Sequence, residues 1–474
     1  MVPDEIANLI GGRATACRSD AWLEKVRPAD GTLMCRVARS GADDVDDAVV
    51  AARAAQPAWA ELTAVARGDI MRELALLLRE RREEASALVM EETGKPEELA
   101  LGETDAAVEM GFFVAGEGRR SYGRTTTTSM PHRTVLTLRQ PLGVAALVMS
   151  FNTPLPNVAW KAFPAMFCGN AAVVKPSEHT PASASYFARL ALEAGVPPGV
   201  LNVVHGLGDE AGAPLVAHPD VDLVSFTGSA ATGRAVNEVA ARRLAKTCLE
   251  LGGKNALVVC DDADLERAVT WTLASAFSNA GQRCASASRI VVFDAVYEAF
   301  RDHLLERVAG LDAQPVISQE SMARILGALA RARAEGARVL AGGERLDRPG
   351  WHVAHTVVEG ASPSAEISRL ELFGPVTVLY RVGDLAEAIA LVNASAYGLT
   401  AAIHTASVHR AMRFAERAQA GVVVVNAGTH GSEPHMGFGG VKDSGTGWRE
   451  AGIEALDVYS EQKVVNLVVD PELT

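Results

Sequence analysis

Each thing this sequence lacks removes a class of function. No run among its 474 residues approaches the ~18 consecutive apolar residues of a membrane-spanning helix. Positive charge is in the minority, 45 Lys and Arg against 58 Asp and Glu, for a net charge of −13. An acidic surface repels phosphate backbones and anionic headgroups, so neither nucleic acid nor membrane is expected as a partner. The opening stretch MVPDEIANLIGG carries Asp4 and Glu5 where a secretory leader is basic. The six cysteines (17, 35, 168, 248, 260 and 284) stand singly, without Cys-x-x-Cys or metal-ligand spacing. That excludes a disulfide framework and a zinc site, and it suits the reducing cytoplasm. A P-loop is also missing, since no Gly-Lys-Ser/Thr comes after a glycine-rich turn.

What is present is ordinary soluble composition, 48% apolar and 22% charged, in a chain too long for one core. DDVDDAVVAARAAQPAWAEL and RGDIMRELALLLRERREEASALVMEETG have helical apolar spacing, so the first region reads as helical, with one long helix stopping at Gly94. YGRTTTTSMPHRTVLTLRQPLG is β-branched and roughly alternating, an extended hairpin. From Val144 short apolar strands alternate with helices, and this predicts an α/β fold with a doubly wound parallel sheet. The tail DVYSEQKVVNLVVDPELT reads as a late strand able to pair with the hairpin or with another subunit.

Such sheets bind ligands beyond the carboxyl ends of their strands, so the residues just past each strand are the first candidates for a site. After VAALVMS comes Asn152, a turn asparagine or an amide donor to a developing oxyanion. After AAVV come Lys175 and Glu178, a polar turn or a donor–acceptor pair for a ribose. After DLVSF come Gly228 and Ser229 at a helix entry able to hold pyrophosphate. Glu250 in LELGGKN sits among apolar residues and backbone, as a paired carboxylate or as a general base with a raised pKa. In GQRCASASRI the thiol of Cys284 stands among polar and small residues beside Arg283, an unusual place for a cysteine that only fills a core.

Taken together, Lys175-Pro-Ser-Glu178, Phe226-Thr-Gly-Ser229, Leu249-Glu-Leu-Gly-Gly-Lys254, Gly281-Gln-Arg-Cys284, Glu371-Leu-Phe-Gly-Pro375 and Phe438-Gly-Gly-Val-Lys-Asp-Ser-Gly445 resemble the aldehyde dehydrogenase superfamily, in family order along nearly the whole chain. The ending FGGVKDSGTGWREAG is similar to bacterial semialdehyde-type members. The resemblance implies three parts: a Rossmann-like NAD(P)-binding domain (1–121 and 144–252), an α/β catalytic domain (253–455) and a small β oligomerisation arm (122–143 and 456–474). It implies a homodimer or homotetramer acting on a small aldehyde.

The reaction it implies is oxidation of an aldehyde to a carboxylic acid through a cysteine thiohemiacetal and thioester, with hydride transfer to NAD(P). Cys284 takes the nucleophile's place, Glu250 the general base's, and Asn152 with the Cys284 N–H the oxyanion hole's. Lys175 and Glu178 stand where the adenine ribose is held, Gly228 and Ser229 at the pyrophosphate, Glu371 at the nicotinamide ribose and Phe373 as a wall beside it. A carboxylate at 178 repels a 2′-phosphate, which favours NAD while leaving NADP possible. Phe151 replaces a usual tryptophan and is expected on the substrate tunnel with Trp160; Arg283 and His435 are further substrate-side candidates. Trp160, Phe151 and Met436 favour apolar aldehydes, whereas Arg283 would suit the carboxylate of a semialdehyde. A CoA-acylating enzyme of the same fold is disfavoured by Glu250, and a cofactor-free thiol hydrolase by the lack of a local Cys/His signature.

Overall fold

The computed structural model describes residues 2–121, 123–469 and 472. Two seven-stranded sheets and a three-stranded ribbon organise them. The first sheet runs Lys246–Leu251, Leu223–Gly228, Val144–Val148, Ala171–Lys175, Leu201–Val203, Asn8–Ile10, Arg13–Thr15. Its first five strands are parallel and the last two antiparallel. The chain moves outward from Val144–Val148 in one direction, then returns and continues in the other. The reversal opens a crevice at the carboxyl ends of Val144–Val148 and Leu223–Gly228. The strands read as unbroken apolar runs because both faces are covered: Ala145 and Leu147 enter one core, Val144 and Ala146 the opposite one.

The second sheet runs Arg338–Ala341, Thr356–Glu359, Val376–Val382, Ala287–Phe293, Asn255–Val259, Thr400–His404, Val422–Val425. It is parallel apart from its first pair. It too is buried on both faces, with Ala256 and Val258 on one side and Leu257 and Val259 on the other. Only Gly252, Gly253 and Lys254 separate the last strand of the first sheet from Asn255–Val259, so the carboxyl edge of one sheet meets the amino edge of the next. Arg133–Pro141 pairs antiparallel with Ser460–Val468, from Ser460 opposite Pro141 to Val468 opposite Arg133, and Thr125–Thr126 adds a third strand. Of the expected arm, residues 122, 470, 471, 473 and 474 lie outside the described residues.

Two expectations need correction. The amino-terminal region is not purely helical. Glu5–Ile6, Trp22–Val26 and Leu33–Ala38 form a small sheet of their own. Asn8–Ile10 and Arg13–Thr15 form a hairpin whose turn places Gly11 and Gly12 at φ 58° and 77°, a conformation that favours glycine. The single long helix is in fact two, Ala64–Glu80 and Arg82–Thr93, broken at Arg81 (φ −103°, ψ 34°). Gly94 does end it, at φ 72°. Among the described residues, no helix is long and apolar enough to cross a membrane, and no cluster of His, Cys, Asp or Glu has the make-up of a metal site.

Candidate active site

The crevice is built from two kinds of loop. Asn152, Lys175, Glu178 and Ser229 come at or after the ends of strands of the first sheet, and Glu250 lies within its last strand. Cys284, Glu371 and Phe373 instead precede strands of the second, Ala287–Phe293 and Val376–Val382. The carboxyl-end rule therefore describes half of the site.

Cys284 sits in a turn after three consecutive left-handed residues, Asn279 (φ 54°), Ala280 (φ 51°) and Gly281 (φ 68°). Left-handed backbone at an asparagine and an alanine is strained and persists only where surroundings enforce it. The enforcing contacts are visible. Asn255 Nδ2 donates to the carbonyls of Cys284 (2.7 Å) and Ser286 (3.0 Å), while its Oδ1 accepts from Thr400 N (3.0 Å). Asn279 Nδ2 donates to the carbonyls of Gln282 (3.2 Å) and Asn152 (3.0 Å), tying the thiol loop to the Asn152 loop. A Cβ on Gly281 would lie 2.2 Å from the carbonyl oxygen of Gly374, so the turn also lies against the Glu371–Phe373 loop.

Asn152 is buried and clamped. Its carbonyl also accepts from the ammonium of Lys95, itself buried and paired with Glu103. Its Oδ1 accepts from Asn157 Nδ2 at 3.3 Å, which orients the amide with Nδ2 as the free donor.

Glu250 is buried, and neither carboxyl oxygen has a hydrogen-bond partner among the described residues. Burial, then the nearby Glu450 carboxylate, push its pKa well above the usual carboxylate range, against the pull of Lys161 and Arg449. Glu450 is held by the fully buried Lys161 ammonium and by Ser225 Oγ at 2.9 Å. The Glu250 side chain faces Gly439, whose Cβ would stand 2.8 Å from Oε1. Ser444 fixes this arrangement. Its Oγ donates to the Gly252 carbonyl (2.7 Å) and accepts from Gly398 N (3.0 Å), and its carbonyl accepts from Leu251 N (3.0 Å).

Glu371 Oε1 accepts from Gly253 N at 3.0 Å, and the carboxyl occupies the place a Cβ on Gly252 would take. Burial raises its pKa to about 7. Burial, then Glu371, then Glu250 push the Cys284 thiol up to about 12, with Arg283 pulling the other way. Both carboxylates and Arg283 therefore act on the thiol.

On the cofactor side, Lys175 Nζ lies 3.6 Å from Glu178 Oε2. Burial pushes the Glu178 carboxyl up, but Lys175 and His179 outweigh it and its pKa ends lowered. Gly228 ends its strand, and Ser229 is the N-cap of Ala230–Ala241, its Oγ accepting from Thr232 N at 3.1 Å. Ser229 is exposed at this helix entry, while the neighbouring Thr227 Oγ1 is buried without a partner. The buried Lys175 beside the half-buried Glu178, an accessible helix N-terminus and a second half-buried carboxylate make a set of donors and acceptors that fits a nicotinamide dinucleotide.

Of the substrate candidates, Trp160 stacks edge-on near Phe438 (6.1 Å), its Nε1 buried and without a partner among the described residues. Phe151 packs edge-on against Phe373 (5.6 Å) and His179 (5.8 Å). Phe373, at φ 51°, comes from the loop before Val376–Val382. His435 is exposed on a loop, 3.7 Å from Glu433 Oε2. Arg283 is half-buried beside the thiol. Sequence reasoning missed Asn255, Asn279, Lys95, Lys161 and Glu450. Lys161 and Glu450 are 289 residues apart, and nothing local marks either as buried.

The sequence model of the aldehyde dehydrogenase family matches residues 15–465. An alpha-ketoglutaric semialdehyde dehydrogenase from Bacillus subtilis is 34% identical over 473 residues, covering 97% of each chain. An E. coli NADP dependent enzyme superposes with TM-score 0.95 at 35% identity, covering 99% of this chain and 100% of its own. An NAD-dependent aldehyde dehydrogenase from Sinorhizobium meliloti gives TM-score 0.96 at 33% identity, covering 100% and 97%. With its thiol, carboxylates and amide gathered where two α/β sheets meet, the chain belongs to the aldehyde dehydrogenase family, oxidoreductases that convert aldehydes to acids with a nicotinamide cofactor.

Proposed function

We propose that Cys284 is the nucleophile, Asn152 Nδ2 and the Cys284 N–H the oxyanion donors, and Glu250 the base that activates water. The supporting observation is the pair of amides, Asn255 and Asn279, that tie the Cys284 turn to the end of Asn255–Val259 and to the Asn152 carbonyl. The thiol gives its proton to solvent and sulfur bonds to the aldehyde carbon as the carbonyl π pair moves onto oxygen, giving a hemithioacetal oxyanion. Each oxyanion donor is worth about 3 kcal/mol in the transition state. Lys175, Glu178, Gly228, Ser229, Glu371 and Phe373 would hold the cofactor, which when bound accepts a hydride. We assign Phe151 to the same wall. The acyl group left on sulfur is then attacked by water, whose proton passes to Glu250. Rapid quenching of enzyme, aldehyde and NAD should leave an acyl adduct on the peptide carrying Cys284. An adduct on any other residue overturns the assignment.

The base must be ionised to work, and Glu450 opposes its ionisation. Glu450→Gln removes a like charge and leaves Lys161 unopposed, so the Glu250 pKa should fall. The acid limb of the deacylation pH profile is then expected at lower pH than in the wild type. Loss of half a buried ion pair also costs roughly 3–5 kcal/mol of stability, so the profile is read below the variant's melting point.

NAD is the proposed preferred cofactor. Glu178 presents a carboxylate, held ionised by Lys175, to the 2′ position of the adenine ribose. Glu178→Ala is expected to raise the NADP to NAD ratio of kcat/KM about tenfold or more, measured as NADPH and NADH formation on one aldehyde. An unchanged ratio assigns selectivity elsewhere.

The ribbon exposes Leu138, Val464, Leu467 and Val468, and Val422–Val425 leaves one edge of the second sheet unpaired. We infer a homodimer or homotetramer in which the ribbon of one copy covers the other's edge. The six free cysteines suit a cytoplasmic setting.

A further inference from the structure

Residues 92–95 close the helix Arg82–Thr93, and Gly94 turns the chain away at φ 72°. Glu92 and Lys95 are both buried there. The bonds of Glu92 lead toward the cofactor side. The helix Pro181–Glu193 begins straight after the turn that carries Glu178 and His179. Its N-cap residue, Thr180, makes no side-chain capping bond, and Pro181 has no N–H to offer. The next two N–H groups are taken by the Glu92 carboxylate: Ala182 N donates to Oε1 and Ser183 N to Oε2 at 3.0 Å, with Ser183 Oγ donating to Oε2 as well. A cap that a helix usually draws from its own first residues comes here from 90 positions earlier, and its negative charge suits the positive end of the helix. Lys25, on Trp22–Val26, completes the cluster by donating to the Glu92 carbonyl at 2.8 Å. The turn runs directly into this cap: Thr180 N donates to the Ser177 carbonyl (3.0 Å) and His179 N to Ser177 Oγ (3.2 Å). Fixing Ala182 and Ser183 therefore fixes the far end of the turn that presents Glu178.

The bonds of Lys95 lead to the other half of the site. Its ammonium donates to the Glu103 carboxylate and to the Asn152 carbonyl. Asn279 donates to the same carbonyl, but from the thiol loop. Lys95 is thus the bond that ties the Asn152 peptide back to the helices Arg82–Thr93 and Glu97–Gly116. Between the two, Gly94 packs on Pro315, whose Cγ a Cβ at 94 would strike. The Pro315 carbonyl accepts from Gln282 Nε2 at 3.3 Å, two residues before Cys284. One short segment therefore supports the cofactor turn with one side chain and the Asn152 loop with another.

We propose that Glu92 and Lys95 are positioning residues that set the two halves of the site separately, Glu92 the turn that presents Glu178 to the cofactor and Lys95 the amide of Asn152. The inference rests on the reading of Glu178 as a ribose contact and of Asn152 as an oxyanion donor. Neither Glu92 nor Lys95 takes part in bond making. Each acts through backbone that it holds, so each should have its own kinetic signature. Loss of the Glu92 cap loosens a cofactor contact and appears in NAD affinity. Loss of the Lys95 bond lets the oxyanion donor drift and appears in kcat.

The test removes both charges of each cluster together, so that no buried charge is left alone: Lys25→Met with Glu92→Gln, and Lys95→Met with Glu103→Leu. The Kd for NAD is read by fluorescence quenching and kcat by NADH formation at saturating NAD. In the first pair the Kd should rise roughly three- to thirtyfold with kcat within about twofold of wild type. In the second, kcat should fall about ten- to hundredfold with the Kd within about twofold. Ser183→Ala and Glu103→Gln, which each remove one group holding Glu92 or Lys95, should move the same constants in the same directions by less, and they serve where a paired variant fails to fold. Contacts that only stabilise the fold would lower the melting temperature and leave both constants unchanged, or move both together in each pair; either result overturns the proposal. Asn152→Ala and Glu178→Ala are measured alongside. If these lose kcat and NAD affinity respectively while the paired variants keep them, the positioning roles alone are wrong. If these lose neither, the assignments of Asn152 and Glu178 fall, and the positioning roles fall with them.

Discussion

Cys284→Ala is expected to lower aldehyde oxidation by at least about 10⁴-fold while NAD still binds. The reason is the content of the rest of the site. Among the described residues no second thiol shares the turn: Cys248 is buried in Lys246–Leu251, Cys260 is buried just past Asn255–Val259, and Cys168 bonds toward the Leu456 carbonyl. The residues proposed to hold the cofactor lie on other loops, so removing one sulfur leaves them in place. Intrinsic fluorescence quenching by NAD checks binding, and NADH formation checks turnover. Turnover of the alanine variant above about 1% of wild type would move the chemistry to another group.

Glu250→Gln has the second largest expected effect, a loss of roughly 10²- to 10⁴-fold in steady-state turnover with a burst of NADH close to one per active site. The carboxyl has no partner to lose, so the substitution breaks no hydrogen bond. It also removes a group that burial and Glu450 keep out of its charged form, so the fold should be no less stable. What is lost is the proton acceptor for water. The acyl-enzyme should accumulate and be seen as a mass increase on the Cys284 peptide. Rapid deacylation in this variant would remove Glu250 from the role, and absence of a burst would place its effect before hydride transfer.

How much of this was legible in the residues differs by element. The parallel strands announced themselves because burial on both faces leaves runs such as Val144–Val148 and Ala171–Lys175 almost wholly apolar. The chemistry-bearing side chains stood out because Cys284, Glu250 and Asn152 are polar groups beside such runs. The amino-terminal strands were invisible, being two to six residues long and too short to show a period. The break at Arg81 was hidden because helical spacing continues across it. The groups that tune the site were hidden for a related reason. Lys161, on a helix, and Glu450, in the carboxy-terminal loop, each look like a surface charge until the fold buries them together. Phe151 is legible only through its place in the family's asparagine motif, where it replaces a usual tryptophan; its ring neighbours, Phe373 and His179, come from elsewhere in the chain.

The bond between Ser444 and the Gly252 carbonyl, together with the Lys161–Glu450 pair, has a consequence for biogenesis. The strand that presents Glu250 is fastened by residues translated almost 200 positions later. A nascent polypeptide can assemble most of its first sheet on the ribosome, yet the proposed base, Glu250, has no settled environment until residue 450 has emerged. Catalytic competence should therefore arrive abruptly, once residue 450 has emerged, and polypeptides stalled before that point should be inert toward aldehydes even where their nucleotide cleft has formed.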